Sequence, residues 1–300
     1  MHRKAAFAFA IVSSVSLHAQ VDRVLPGDAI TRVSEHVYAI IGWPNIAIIV
    51  GDRATLVVDT GLGPRNGEIV MSQVEKLAKS QNLYLTTTHF HPEHASGAQA
   101  FPPRTVLIRP VVQQEEMVRR DAEFMVMFRA MSPQMKDLLE GVKQRAPDIL
   151  FDRKLKLDLG GVTARLMWLG GGHTKGDELV LVEPDSTLVP GDIVENKIVP
   201  GMPNEDASVK GWLALLDRIE PMHPRFIVPD HGKLGDGALI AQERGFLTDL
   251  QTRAAALKRE GKSADEAATR IAKEFAVKYA GWESMGGIGN AVKRAWSEAP

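Results

Sequence analysis

The chain has 300 residues, no cysteine, and 36 Lys and Arg against 37 Asp and Glu, for a formal net charge of -1. That balance excludes nucleic-acid binding driven by a global basic field. The missing cysteine excludes a disulfide scaffold, a thiolate nucleophile, a zinc finger and an iron–sulfur centre, so any metal has to be held by His, Asp and Glu.

In chain order, residues 1–19 read as an export leader. Arg3 and Lys4 are followed by the apolar, small-residue run Ala5 to Leu17, with Ala19 as the last residue before cleavage. The run is too short for a membrane span, and no later stretch approaches the length of apolar chain that a span needs. The expectation is a periplasmic or secreted mature chain, 20–300, forming a single domain with no transmembrane segment.

Residues 36–42, 46–50 and 55–59 read as strands joined by tight turns. Val70, Val74 and Leu77 predict a helix over roughly 65–80, and 83–87 and 105–108 are the next strands. A helical insertion follows at about 111–147. Its apolar positions Phe124, Phe128, Met131, Met135, Leu138 and Val142 are interrupted by Ser132-Pro133, which predicts two helices with Ser132 capping the second. Strands at 155–159, 162–169, 179–182, 187–189 and 226–228 surround a helix at 209–219. A helical extension covers about 238–300, with two helices over 238–280. Gly261 ends the first, and Ser263 with Glu266 predicts a capping box on the second. This mixture fits an α/β sandwich better than a purely parallel doubly wound sheet. Met117, Met125, Met127, Met131 and Met135 are either core filling or an adaptable wall over a substrate pocket.

Chemistry concentrates at the end of one strand. The stretch Thr88-His89-Phe90-His91-Pro92-Glu93-His94 puts four metal-capable side chains within six residues. His89 and His91 point the same way because the side-chain period of extended chain is two. His173 follows Gly170-Gly171-Gly172 after another strand, Asp192 follows Pro190-Gly191, and His231 follows Pro229-Asp230. These are strand-end loops, where sites are built on rigid scaffolds. Imidazole and carboxylate are suitable zinc ligands.

With these motifs in order, the chain resembles the metallo-β-lactamase fold superfamily of metallohydrolases. The resemblance covers most of 34–232. It implies a four-layer αβ/βα sandwich with the site at one edge of two packed sheets. It implies that His89, His91 and His173 hold a first zinc, that Glu93, His94 and His231 hold a second, and that Asp192 bridges them. It also makes Asp59 an outer group that orients a ligand histidine or its loop. Two positions depart from the family pattern. Glu93 stands where the family has Asp, which carries the carboxylate about 1.5 Å farther; Glu93 is then either a ligand or a general base. Asp230 stands where Gly is usual; Asp can adopt the left-handed conformation that Gly would supply, and it also adds a carboxylate beside the second site. One or two zinc ions are therefore expected, with the second site altered, weaker or selective for another ion.

The resulting expectation is a secreted or periplasmic zinc hydrolase of a small ester, lactone or amide, using metal-bound hydroxide, with Asp192 or Glu93 handling the proton. The leading alternative is a β-lactamase. Against it, Asp192 stands where the thiolate-ligand lactamases carry Cys. A second alternative is a degenerate site that binds metal or ligand without turnover. Lys175, Asn196 and Lys197 are candidates for a substrate carboxylate. The triple glycine lacks the Lys-Ser or Lys-Thr of a phosphate loop and instead allows a tight turn beside His173.

Overall fold

The computed structural model describes residues 22–300; the expected leader lies outside the described residues. Two mixed sheets face each other. The first has seven strands in the order β1 to β7: β1 (Thr31–Arg32), β2 (Val37–Ile40), β3 (Ile46–Val50), β4 (Thr55–Val58), β5 (Leu83–Thr86), β6 (Val106–Pro110) and β7 (Ile149–Phe151). Pairing is antiparallel from β1 to β4 and parallel from β4 to β7. The second sheet runs β12-β11-β10-β9-β8, from β8 (Lys154–Asp158), β9 (Thr163–Trp168), β10 (Glu178–Glu183), β11 (Thr187–Val189) and β12 (Phe226–Ile227).

Strand periodicity builds the layers. In β3, Ala47 and Ile49 face the opposite sheet, whereas Ile46, Ile48 and Val50 face outward onto α1 (Gly63–Leu77) through Val70 and Val74. In β10, Val180 and Val182 enter the inter-sheet core, and Leu179 and Leu181 face α5 (Val209–Ile219) and α6 (Ala238–Arg259). The result is the expected four layers, helix on sheet on sheet on helix.

The additions follow local capping chemistry. Ser132 accepts a hydrogen bond from the Met135 amide and separates α3 (Val111–Met131) from α4 (Pro133–Leu138). The second helix is shorter than its apolar spacing suggests, because the chain turns at Gly141, whose φ is +69°. Beyond α6, Gly261 at φ +78° closes a Schellman turn, with Lys262 N donating to Leu257 O. The Ser263–Glu266 capping box then opens α7 (Ala264–Lys278). A third helix, α8 (Ile288–Glu298), lies beyond the two helices expected over 238–280, and edge strands β1 and β7 were not anticipated either. Among the described residues, no helix is long and apolar enough to cross a membrane. The methionines divide: Met117, Met125 and Met135 are buried with Phe90, Phe124 and Phe128, while Met127 and Met131 are exposed.

Candidate metal centre

The loops that leave the strands at one edge of the sandwich converge. Strand β5 runs into His89, and His91 caps the short helix α2 (Pro92–Ala95), whose first residue is the proline best tolerated there. His173 sits in the turn after β9, Asp192 in the 3-10 turn Gly191–Ile193 after β11, and His231 just past β12. The His173 turn is crowded: a Cβ on Gly171 would lie 2.1 Å from the Thr174 carbonyl oxygen. Asp177 holds the turn by accepting from the amides of Gly172, His173 and Thr174. Glu116 on α3 accepts from the amides of Lys175 and Gly176. The insertion therefore braces the His173 loop.

One half of the cluster is three buried imidazoles. His89 Nε2 is 3.0 Å from His91 Nδ1, and His91 Nδ1 is 3.2 Å from His173 Nε2. Asp192 Oδ2 is 3.3 Å from His173 Nε2 and 3.9 Å from His89 Nε2. Four ligands about 2.1 Å from a common ion stand about 3.4 Å apart along the edges of a tetrahedron, so these separations suit one ion.

The outward nitrogens decide what faces inward. His91 Nε2 lies 3.1 Å from Asn204 Oδ1, and His173 Nδ1 lies 2.7 Å from the Gly201 carbonyl. Both contacts require the proton on the outer nitrogen. His89 Nδ1 faces the Thr88 hydroxyl at 3.2 Å, which in turn donates to a carboxylate. Burial also holds His89, His91 and His173 below their ordinary pKa, His173 at about 4. Three imidazole lone pairs then converge on one point, an arrangement that repels itself unless a cation occupies the point.

The second half is rich in carboxylate. His94 Nε2 is 3.8 Å from Glu93 Oε1 and 3.7 Å from Asp192 Oδ1, and Asp192 Oδ1 is 3.4 Å from His231 Nε2. The two oxygens of Asp192 thus face different halves. Glu93 Oε2, His94 Nε2 and Asp192 Oδ1 are buried and have no hydrogen-bond partner among the described residues. Such orphaned atoms are costly unless an ion or other ligand satisfies them. The residues present therefore fit one or two divalent cations: His89, His91 and His173 for one, Glu93, His94 and His231 for the other, with Asp192 between. Burial pushes the carboxyls of Glu93 and Asp192 up to about 7, and a cation beside them would draw them back down.

Behind His94, Asp59 Oδ2 lies 2.9 Å and Asp230 Oδ2 3.2 Å from Nδ1. A proton on Nδ1 is therefore held outward, which leaves Nε2 as the inward atom. Burial works against a charged His94, but Asp59 and Asp230 outweigh it and raise its pKa. Asp59 has φ +71° and also accepts from the Thr88 amide. Asp230 is not among the described residues with positive φ. It does not replace glycine's conformation, and its carboxylate instead meets His94 and Thr88. The left-handed position falls at Gly232, φ +88°.

The three candidate substrate-binding residues make other contacts. Lys175 Nζ pairs with Asp206 at 3.0 Å, Asn196 Nδ2 donates to the Lys233 carbonyl, and Lys197 is exposed with its carbonyl accepting from Glu283 N. Sequence reasoning missed Asn204, Asp177 and Glu195. Buried Glu195 lies within ligand reach of Asp192 and His231, and buried Glu243 on α6 has both oxygens unpartnered. Glu243 carries no local signal, because α6 delivers it from far along the chain.

The family model described as the metallo-beta-lactamase superfamily matches residues 44–231. The chain is 25% identical over 225 residues to "Metallo-beta-lactamase type 2" of Bacteroides fragilis, covering 71% of this chain and 82% of that one. It is 24% identical over 229 residues to "Linear primary-alkylsulfatase" of Pseudomonas sp. (strain ATCC 19151), covering 65% of this chain but 43% of that protein. Among solved structures, a stereoselective inverting sec-alkylsulfatase from Pseudomonas sp. superposes with a TM-score of 0.70 at 17% identity, over 90% of this chain and 50% of that one.

Proposed function

This chain belongs to the metallo-beta-lactamase superfamily of metal-dependent hydrolases, and from that premise we propose that it is an exported zinc hydrolase of a small ester, lactone or amide. The observation that carries the reading is Asp192, whose two oxygens stand 3.3 Å from His173 Nε2 and 3.4 Å from His231 Nε2. Zinc, when bound, supplies Lewis acidity and makes water nucleophilic near neutral pH. His89, His91 and His173 would hold one ion, and Glu93, His94 and His231 the other. Asn204, Gly201 and Asp59 hold His91, His173 and His94 in the required tautomers. Asp192 spans both halves and can take the proton that water loses on attack. Glu93 has one oxygen, Oε1, facing His94 Nε2 and an unpartnered Oε2. It can therefore act as a ligand through Oε1, while Asp192 passes the proton it has taken on to the leaving group.

Export rests on the residue 1–19 leader, and N-terminal sequencing of the mature protein tests it. The substrate class is tested by assaying nitrocefin, a lactone, aryl esters and an alkyl sulfate with and without chelator. Hydrolysis of an ester or lactone that stops on chelation and returns with zinc supports the reading. The similarity to "Metallo-beta-lactamase type 2" favours β-lactam hydrolysis as a second reading, which faster turnover of nitrocefin would select. Metal bound without turnover of any substrate would leave only a binding role.

A further inference from the structure

The aromatic side chains around the cluster form a continuous wall. Phe124 stacks on His91 with ring centroids 4.5 Å apart and planes 16° apart. Trp43 lies 6.3 Å from Phe128 and 5.4 Å from His231. Trp43 is half-buried, and the Arg23 guanidinium sits over its ring, 3.7 Å from the centroid. The backbone of Arg23 is pinned at both groups, its amide donating to Gln134 Oε1 and its carbonyl accepting from Asn66 Nδ2. Among the described residues the guanidinium itself makes no ion pair and no side-chain hydrogen bond. Its charge is nonetheless felt by Glu93 and His231.

A half-buried guanidinium has lost water without gaining an anion. Stacking on Trp43 offsets only part of that loss. Its five donors form a fork matched to a carboxylate or other oxyanion. We propose that Arg23, seated on Trp43 beside the Glu93–His94–His231 half of the cluster, recognises an anionic group of the substrate. Resting on the hydrolase reading, this narrows the substrate to a molecule with three parts: a scissile acyl bond, an apolar body lying along Trp43, and a carboxylate or similar oxyanion remote from the bond cut. A purely structural Arg23, balancing the negative charge of the cluster, would alter metal affinity rather than the preference for charged substrates.

The test compares a matched pair, 4-nitrophenyl hydrogen glutarate and 4-nitrophenyl valerate, with the wild type, Arg23→Gln and Arg23→Lys. A charge-assisted pair predicts that Arg23→Gln lowers the glutarate-to-valerate ratio of kcat/KM by about 10- to 100-fold, mainly through KM, and that Arg23→Lys recovers part of it. A wild type without preference for the glutarate, or a parallel fall on both esters, overturns the proposal. So does loss of zinc from Arg23→Gln by elemental analysis. If the wild type cleaves neither ester, the hydrolase reading fails on these substrates but the subsite is still testable. Calorimetry with phenylacetate and 2-phenylethanol then decides: a carboxylate preference lost in Arg23→Gln supports the subsite, and equal affinities or an unchanged preference refute it.

Discussion

Replacing Asn204 by Ala removes the partner of His91 Nε2, 3.1 Å away, without touching any candidate ligand. The ring loses the acceptor that keeps its proton outward, and a buried N–H is left unsatisfied at a cost of about 1–3 kcal/mol. Loss of such an outer partner lowers metal affinity by about 10- to 100-fold. Asn204 Nδ2 has no partner of its own, so Asn204→Asp sacrifices nothing there and offers a stronger acceptor. Zinc competition against a fluorescent chelator at fixed pH should therefore rank Asn204→Asp at or above the wild type and Asn204→Ala about tenfold or more below it. The effect should extend to α8, because Arg294 donates to the Asn204 carbonyl at 3.1 Å and Glu283 pairs with Val199 at the other end of the same loop. Arg294→Ala should weaken zinc by a smaller factor. Zinc affinity of Asn204→Ala within twofold of the wild type would refute the reasoning that the outer contact sets the imidazole.

Three further outcomes are expected. Chelation should lower the melting temperature, and the loss should scale with free zinc, because three lone pairs then face one another without a cation; a scan unchanged by chelator contradicts this. Glu93→Ala should reduce bound metal to about one ion per chain, leaving the three-histidine half loaded, and elemental analysis showing two tight ions would contradict a ligand role for Glu93. Gly172→Ala should destabilise the fold and cut activity, since its Cβ would lie 2.7 Å from the Trp212 Cα. Trp212 is fully buried and packs edge-on against His173, so the strain passes directly to that ring. Full activity with an unchanged melting curve would show that the turn has room.

The metal-capable residues were legible because their signal is local. His89, His91, Glu93 and His94 lie within six residues at a strand end, and His173, Asp192 and His231 each follow an apolar strand. The Ser132 cap and the Ser263–Glu266 box were legible for the same reason, since each partner is three residues away. Helix α8 could have been read from Ile288, Ala291, Val292 and Ala295, which keep helical spacing. Asn204 could not, because its partner His91 is 113 residues distant and an Asn in a Pro-Asn-Glu loop reads as an ordinary turn residue.

By itself the sequence determined the donor types, their places at strand ends and the helix caps, because periodicity and capping act over a few residues, while the layer order and the shared edge came from the family resemblance. Only the tertiary structure decided which nitrogen of each imidazole faces inward. Only there do the oxygens of Asp192 divide between two halves, Asp230 become a second carboxylate behind His94, and Arg23 come to rest on Trp43. Each of these depends on a group from a distant segment placed within about 3–4 Å, and hydrogen-bond and charge interactions acquire their meaning at that range.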